Sequence, residues 1–483
     1  MISEDVAFRL LLTRLSSPAR FVRLLAAREI GRLLSEDREG ALRSTYLAWF
    51  ASRPLETLVV DALVPIGLSR PRSWTDLSVL TRVERPSILL DIYLSEMFGR
   101  RPAFQTWLGA HGRRPPRTFE PPTDFASMSA MHTAPIVLNT LQRLDRGLAR
   151  PFLVRQYAWE HSELVRRTGL PLSAGLDFLI DQFDDHVGGF ESSSSALHLS
   201  ALLRTIHLAM AEENMPPSSA DYLAGLARPT HLELATVRAG TPPSVWPRFE
   251  SDADADAWFD ALAISGAAPY VEDAQDWRIA SASALVHQSE ERWYELTVRS
   301  VWAFEDPTSP APFERELGLS NRRGSEPFLP KRISFPVCEE HLKFDPRVSS
   351  STLGASAYSL PFAGRWHLDV ILRCGVIPVL PFRHEVISVE YMPNGIDFQL
   401  EGKTFARWVH WYRNWTLSHP EGGAAASGAA LLLSPAIIER IATRDNLYLI
   451  REACVEKFPR GRSPRDQPRQ RLIARWPTLA ASS

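Results

Sequence analysis

Residues 18–34 read Pro18-Ala-Arg-Phe-Val22-Arg23-Leu-Leu-Ala26-Ala27-Arg-Glu-Ile30-Gly31-Arg-Leu-Leu34. Apolar side chains recur there at helical spacing, which predicts a helix over 21–34. Pro18 stands just ahead of it, where a missing N–H costs nothing. Ala26, Ala27 and Gly31 are small and leave room for another helix to approach closely. The surrounding sequence offers partners at helical period: 8–15 before it, then 40–51 with 55–68, and 74–81 with 86–98. Three helix pairs are about the number at which stacked helical units become stable.

Further along, Gly112-Arg-Arg-Pro-Pro-Arg-Thr-Phe-Glu-Pro-Pro-Thr is a linker, because its prolines exclude helix and strand alike. Helical periods resume over 134–148, 152–168, 173–183 and 196–213. A second boundary falls at Gly240-Thr-Pro-Pro-Ser-Val-Trp-Pro, and after it the period changes. Residues 277–287 and 293–304 alternate like the strands of a hairpin. Further strands are expected over 367–372, 376–380, 386–391, 396–400, 430–433 and 447–455. Helices are expected over 405–415, with an aromatic stripe, and over 435–443. The fold class that follows is multidomain α+β. Helical repeats occupy 1–111 and a second helical domain 125–238. A mixed α/β domain fills 250–456, and a basic tail runs over 457–483.

Composition bounds what such a chain can be. At 483 residues, three domains is the prior. With 45% hydrophobic and 23% charged residues the chain is globular, and a net charge of −2 excludes a polycation built to coat nucleic acid. Of 54 Lys and Arg only four are lysines (Lys331, Lys343, Lys403, Lys457), a bias pointing to a GC-rich bacterial genome. Cys338, Cys374 and Cys454 form no Cys-x-x-Cys pair, so neither a disulfide framework nor a zinc ribbon is expected. The first residues lack the basic start of a signal peptide, and no run of 18 uncharged apolar residues occurs, so a soluble cytoplasmic protein is expected.

Several stretches carry candidate chemistry. Gly402-Lys403-Thr404 ends like a phosphate-binding loop, but the glycine needed five positions earlier is Asp397. Glu390 ends one expected strand, and Glu401-x-Lys403 ends the next. Two acids and a lysine so placed resemble the PD-(D/E)xK nuclease core, where the acids hold a divalent ion such as Mg²⁺ and the lysine orients water. That family normally has Asp at the first acid and an apolar middle residue, where this chain has Glu390 and Gly402. Asp252-Ala-Asp254-Ala-Asp256 begins like a calcium loop but lacks its Gly and Glu, so these acids are expected to cap a helix. Asp181, Asp184, Asp185 and His186, and likewise Cys338 with His341, make incomplete metal sets. In the tail, Lys457, Arg460, Arg462, Arg465, Arg469, Arg471 and Arg475 face only Asp466, which suits phosphate contacts. In the aromatic stripe, Trp408 and Trp411 with Arg413 suit a partner-binding face, the core being the other reading.

The 18–34 stretch resembles the second half of a HEAT repeat: a proline before the helix, then Val22-Arg23, Ala26-Ala27 and Ile30-Gly31. With 202–216 (LLRTIHLAMAEENMP) and 408–450, the chain also resembles the non-catalytic regions of large bacterial antiviral-defence proteins. That likeness implies a scaffold or sensor that needs no cofactor, binds a partner protein encoded nearby and a nucleic acid as a second ligand, and leaves catalysis to another chain. The alternative is the metal-dependent nuclease using Glu390, Glu401 and Lys403.

Overall fold

The computed structural model describes residues 4–70, 83–99, 113–148, 151–169, 191–240, 242, 246–247, 249, 251–265, 277–289, 292–303, 337–338, 341–343, 352–358, 360–367, 376–381, 386–411, 427–459 and 470–477. The expected helices over 74–81 and 173–183, the acids near 181–186, Arg413 and four of the tail arginines (Arg460, Arg462, Arg465, Arg469) lie outside these residues. The chain is mixed α+β and divides into two compact units. One comprises Met1–Thr236 with Leu360–Asp369, and the other Val237–Ser359 with Val370–Ser483.

The first unit is helical. Its elements are α1 (Glu4–Leu15), α2 (Arg20–Glu36), α3 (Ala41–Ala51), α4 (Glu56–Leu68), α5 (Ile88–Phe98), α6 (Phe125–His132), α7 (Pro135–Gly147), α8 (Leu153–Thr168), α9 (Ser193–Glu213) and α10 (Pro217–Gly225). Helix α2 packs between α1 and α4, as its small residues require. A Cβ added at Gly31 would lie 2.9 Å from Leu68 Cβ and 3.0 Å from Pro65 O, so only glycine permits this approach.

Helices from 1–111 and from 125–238 share one core, which the sequence had suggested dividing between two domains. The reason lies in α9. Leu197 to Ala209 are buried without interruption, and a helix buried all round needs neighbours on every side. It finds them in α4, α5, α6, α8 and α10. Two buried polar groups along α9 find partners on α4: Arg204 Nε donates to Glu56 at 2.7 Å, and Ser200 Oγ lies 2.8 Å from Thr57 Oγ1.

Four buried charges tie distant parts of this unit together. Arg23 of α2 reaches Glu191 at 2.6 Å and Asp61 of α4 at 3.4 Å. Arg365, carried by the returning segment, donates to both of the same carboxylates, and its Nε donates to Ala227 O at 3.1 Å. Two guanidinium groups and two carboxylates balance, which is the condition for burying them at all.

The second unit is built on antiparallel strands: β1 (Arg278–Gln288), β2 (Arg292–Ala303), β3 (Val337–Cys338), β4 (His341–Lys343), β5 (Thr352–Gly354), β6 (Ser356–Tyr358), β7 (Val376–Pro378), β8 (Val386–Met392), β9 (Gly395–Leu400), β10 (Lys403–Trp411), β11 (Ser427–Leu433), β12 (Tyr448–Pro459) and β13 (Gln470–Pro477). Among the described residues one sheet runs β13-β12-β2-β1-β11-β10-β9-β8-β4-β3, with β5 also on β2, while β6 and β7 form a separate pair. The expected 278–303 hairpin is present. Helix α11 (Asp252–Ser265) covers one sheet face through Ala255, Phe259 and Leu262, against Val286, Leu296, Leu432 and Val455. Helix α12 (Pro435–Asp445) starts at Ser434, whose Oγ accepts from Ile437 N.

Three expectations are corrected. The 405–415 aromatic helix is strand β10 through Trp411. Both faces of that strand are buried, so apolar residues fall at odd and even positions alike and imitate a helical period. His367, expected to open a strand, closes the 3-10 turn Arg365–His367. The tail is not wholly a tail, because Arg471 lies in β13, which pairs with β12 along its whole length.

Candidate functional site

The nuclease-like residues sit on two consecutive hairpins. Glu390 in β8 lies opposite Asp397 in β9, while Glu401 and Gly402 form the two-residue turn between β9 and β10. Ile387, not Glu390, pairs with Leu400 at that end of β9. Glu390 is therefore three residues away along the strand, about 10 Å at the usual rise. Each carboxylate is also engaged elsewhere. Glu390 Oε2 accepts from Gln399 at 2.5 Å, and Glu401 Oε2 lies 3.4 Å from Arg440 of α12. Asp397, the possible substitute acid, is buried and held by both arms of Arg407 at 2.7 and 2.8 Å. Glu390, Glu401 and Lys403 thus do not converge on one point, and the PD-(D/E)xK resemblance is not met by this geometry. No helix follows Lys403, so the phosphate-loop reading also lapses.

The turn has its own explanation. Glu401 and Gly402 have φ of 53° and 76°, the positive values that a type I′ hairpin turn demands at both positions. Glycine takes this conformation freely, but glutamate does not. Glu401→Asn, which makes the favoured Asn-Gly pair, is expected to raise stability by about 0.5–1 kcal/mol. Denaturant midpoints of the two proteins check this; a loss of stability would mean that the Arg440 contact outweighs the turn.

The partner-binding expectation for Trp408 and Trp411 is corrected by burial. Trp408 is 0% and Trp411 1% exposed, so neither ring is available to a partner. They lie on opposite faces of β10. Trp411 packs edge-on against Trp246 with centroids 5.0 Å apart, and Trp408 stacks on His410 at 4.9 Å.

A dense polar constellation among the described residues of the second unit was missed as a site. It lies where α11 crosses the β1–β2 turn and β12. Ser251, not one of the acids expected to cap the helix, caps α11, accepting from Asp254 N at 3.2 Å; Asp252 and Asp254 lie inside its first turn. Asp252 and Asp256, one turn apart, both reach back to the sheet. Asp252 lies 2.5 Å from His287 Nε2 and accepts from Ser289 Oγ at 2.9 Å. Asp256 accepts from Arg292, from Lys457 and from the Tyr294 hydroxyl. Burial would push the Asp256 carboxyl up. Hydrogen bonds from Lys457 and Tyr294, with the charges of Lys457 and Arg292, outweigh it and hold the group below its usual value. The Tyr294 phenol is pushed up by burial and then by the adjacent carboxylate.

Two acids thus balance one arginine and one lysine, and Ser289 donates to Asp252 rather than to His287. The pattern is not a nucleophile–base–acid relay, whose serine must donate to the histidine. It does what a charged clasp does: it fixes α11 on the sheet. Lys457, assigned to the basic tail by sequence, belongs to this clasp. Only the i, i+4 spacing of Asp252 and Asp256 could have announced it.

Among the described residues no group of three His, Cys, Asp or Glu side chains is placed to hold a metal ion, and no helix is long and apolar enough to cross a membrane. No family model matches this chain, and no curated protein matches it either.

Proposed function

We propose that this chain is a non-enzymatic bacterial scaffold or sensor whose HEAT-like helical unit docks a partner protein encoded nearby, as a component of an antiphage defence system. The observation that carries the reading is the outward face of α1. Phe8, Leu12 and Leu15 of α1 are buried, whereas Val6 and Leu10, also one turn apart, are 48% and 55% exposed. The solvent-facing sides of helices in a helical stack are normally polar, which is what keeps such stacks soluble. Two aliphatic residues there suit the apolar face of a further helix. The ion pair of Arg9 with Asp5 at 2.9 Å supplies a polar rim beside them. The pairing of α1 with α2 and the close passage of α2 over α4 at Gly31 support the repeat-like reading of this end. Nucleic acid is a second ligand in this proposal, contacted by the basic segment that includes Arg471.

Co-purification of the chain with the products of its flanking genes tests the proposal. The double variant Val6→Lys, Leu10→Lys is expected to weaken the complex at least about tenfold, since burying one aliphatic side chain is worth about 1.5–3 kcal/mol. A protein that stays monodisperse and binds none of those products would sink the proposal, and so would binding that the double variant leaves unchanged.

A further inference from the structure

Residues 360–367 pack within the helical unit, although the chain before and after them belongs to the second unit. Strands β6 and β7, which flank them, pair with each other, Tyr358 opposite Val376. The segment is therefore carried by a loop that is closed at its base. Loops normally run over a surface. Here Leu360 and residues 362–367 are all buried, and only Pro361 is half-buried. The segment folds as one helical turn, Leu360–Ala363, and one 3-10 turn, Arg365–His367, joined at Gly364.

We propose that residues 360–367 are a built-in peptide ligand, and that the helical unit carries a seat specific for this arginine-bearing turn, which also takes the segment from a second copy of the chain. The proposal is independent of the docking face assigned to α1.

The seat holds the segment by its backbone first, as peptide-binding sites commonly do. Arg365 N donates to Arg228 O at 2.8 Å and Trp366 N to Pro229 O at 2.9 Å, while His231 N donates to Ala363 O at 3.2 Å. Side chains add selectivity. The Arg365 guanidinium spans three acceptors, Asp61, Glu191 and Ala227 O. Only a planar fork of N–H donors can do so, which singles out arginine over lysine. Trp366 is fully buried, and Thr230 Oγ1 lies 2.8 Å from His367 Nε2. Two glycines set the fit. A Cβ added at Gly225 of α10 would lie 2.9 Å from Pro361 Cβ. Gly364 has φ of 96°, and a Cβ there would lie 2.5 Å from Pro229 O and 2.6 Å from Thr230 Cα. Those are backbone atoms, which cannot rotate away.

Every one of these contacts joins the segment to residues between 61 and 231. A segment offered by another copy can make the same set, which is the condition for exchange between identical chains. In the intact chain the tether keeps the resident segment at an effective concentration of about a millimolar. Entry from outside therefore requires the resident segment to be displaced.

The full chain carrying Gly364→Ala and a labelled peptide of residues 360–367, capped at both ends, test this. The added methyl excludes the resident segment, so the peptide is expected to bind the variant, read by fluorescence anisotropy, and to bind the wild-type chain at least about tenfold more weakly. The same peptide with Arg365→Ala should bind the variant at least about tenfold more weakly than the unaltered one. A peptide that binds neither chain at about 1 mM, binds both alike, or binds equally well without its arginine overturns the proposal. In a second variant, Arg365→Ala in the full chain, the unaltered peptide should raise the denaturant midpoint in step with the logarithm of its concentration. A midpoint that ignores the peptide overturns the proposal as well. Should neither variant fold, refolding in the presence of peptide decides: recovery with the unaltered peptide and not with its Arg365→Ala form is expected, and no recovery is the contrary result.

Discussion

Arg365→Ala is expected to destabilise the helical unit by about 3–5 kcal/mol, read as a fall in its denaturant midpoint. The magnitude follows from what the substitution leaves behind. Arg365 donates to Asp61 and Glu191 together, and both carboxylates are deeply buried. Arg23 alone would then face two negative charges out of reach of water. The two acids are not equivalent. Burial pushes Asp61 up to about 6 in spite of Arg365 and Arg23. Glu191 feels the same burial, but those two arginines outweigh it and hold the group below its usual value. Stability from Glu191 is thus present above its unfolded value of about 4.5 and lost on acidification through its lower folded value. Stability from Asp61 has the opposite sign: it is present below 3.8 and lost as the pH rises through about 6. At pH 7.5 Glu191→Gln should therefore cost more than Asp61→Asn, and the gap between them should narrow towards pH 4. Equal costs at both pH values would refute this division of roles.

The same residues mark what was legible in the sequence. The 18–34 pattern gave helix α2, and Gly31 gave its close neighbour, because both depend on local spacing and size. Nothing local marks Arg23, Asp61, Glu191 and Arg365 as one group, since ion pairing across as many as 304 positions is settled only by tertiary packing. The hairpins 278–303 and 386–400 were legible from alternation and turn residues. Strand β10 was not, because burial on both faces removes the alternation that identifies a strand. That one misreading carried the site with it. A helix beginning after Lys403 made Glu401-x-Lys403 resemble a strand end at a catalytic centre, whereas a type I′ turn explains Glu401 and Gly402 by backbone geometry alone.

Trp408→Ala is expected to destabilise the sheet unit by about 3–5 kcal/mol, the usual cost of removing a fully buried large aromatic side chain. Had this ring been part of a docking face, the same truncation would change stability by no more than about 0.5 kcal/mol and would act on binding instead. The environment favours the first outcome. Trp408 is fully buried on the His410 face of β10, and its strand neighbours Ile396 and Leu431, which it faces across the two ladders, are also fully buried. Its indole N–H has no hydrogen-bond partner among the described residues, so the ring contributes by volume and dispersion rather than by a polar anchor. Trp408→Phe, which restores much of the volume and forfeits no hydrogen bond, should therefore recover most of the loss. Denaturant midpoints of the two variants, measured beside co-purification with the flanking gene products, separate the roles. Core packing requires a large loss of stability for alanine, a small one for phenylalanine, and partner binding that survives wherever the protein remains folded.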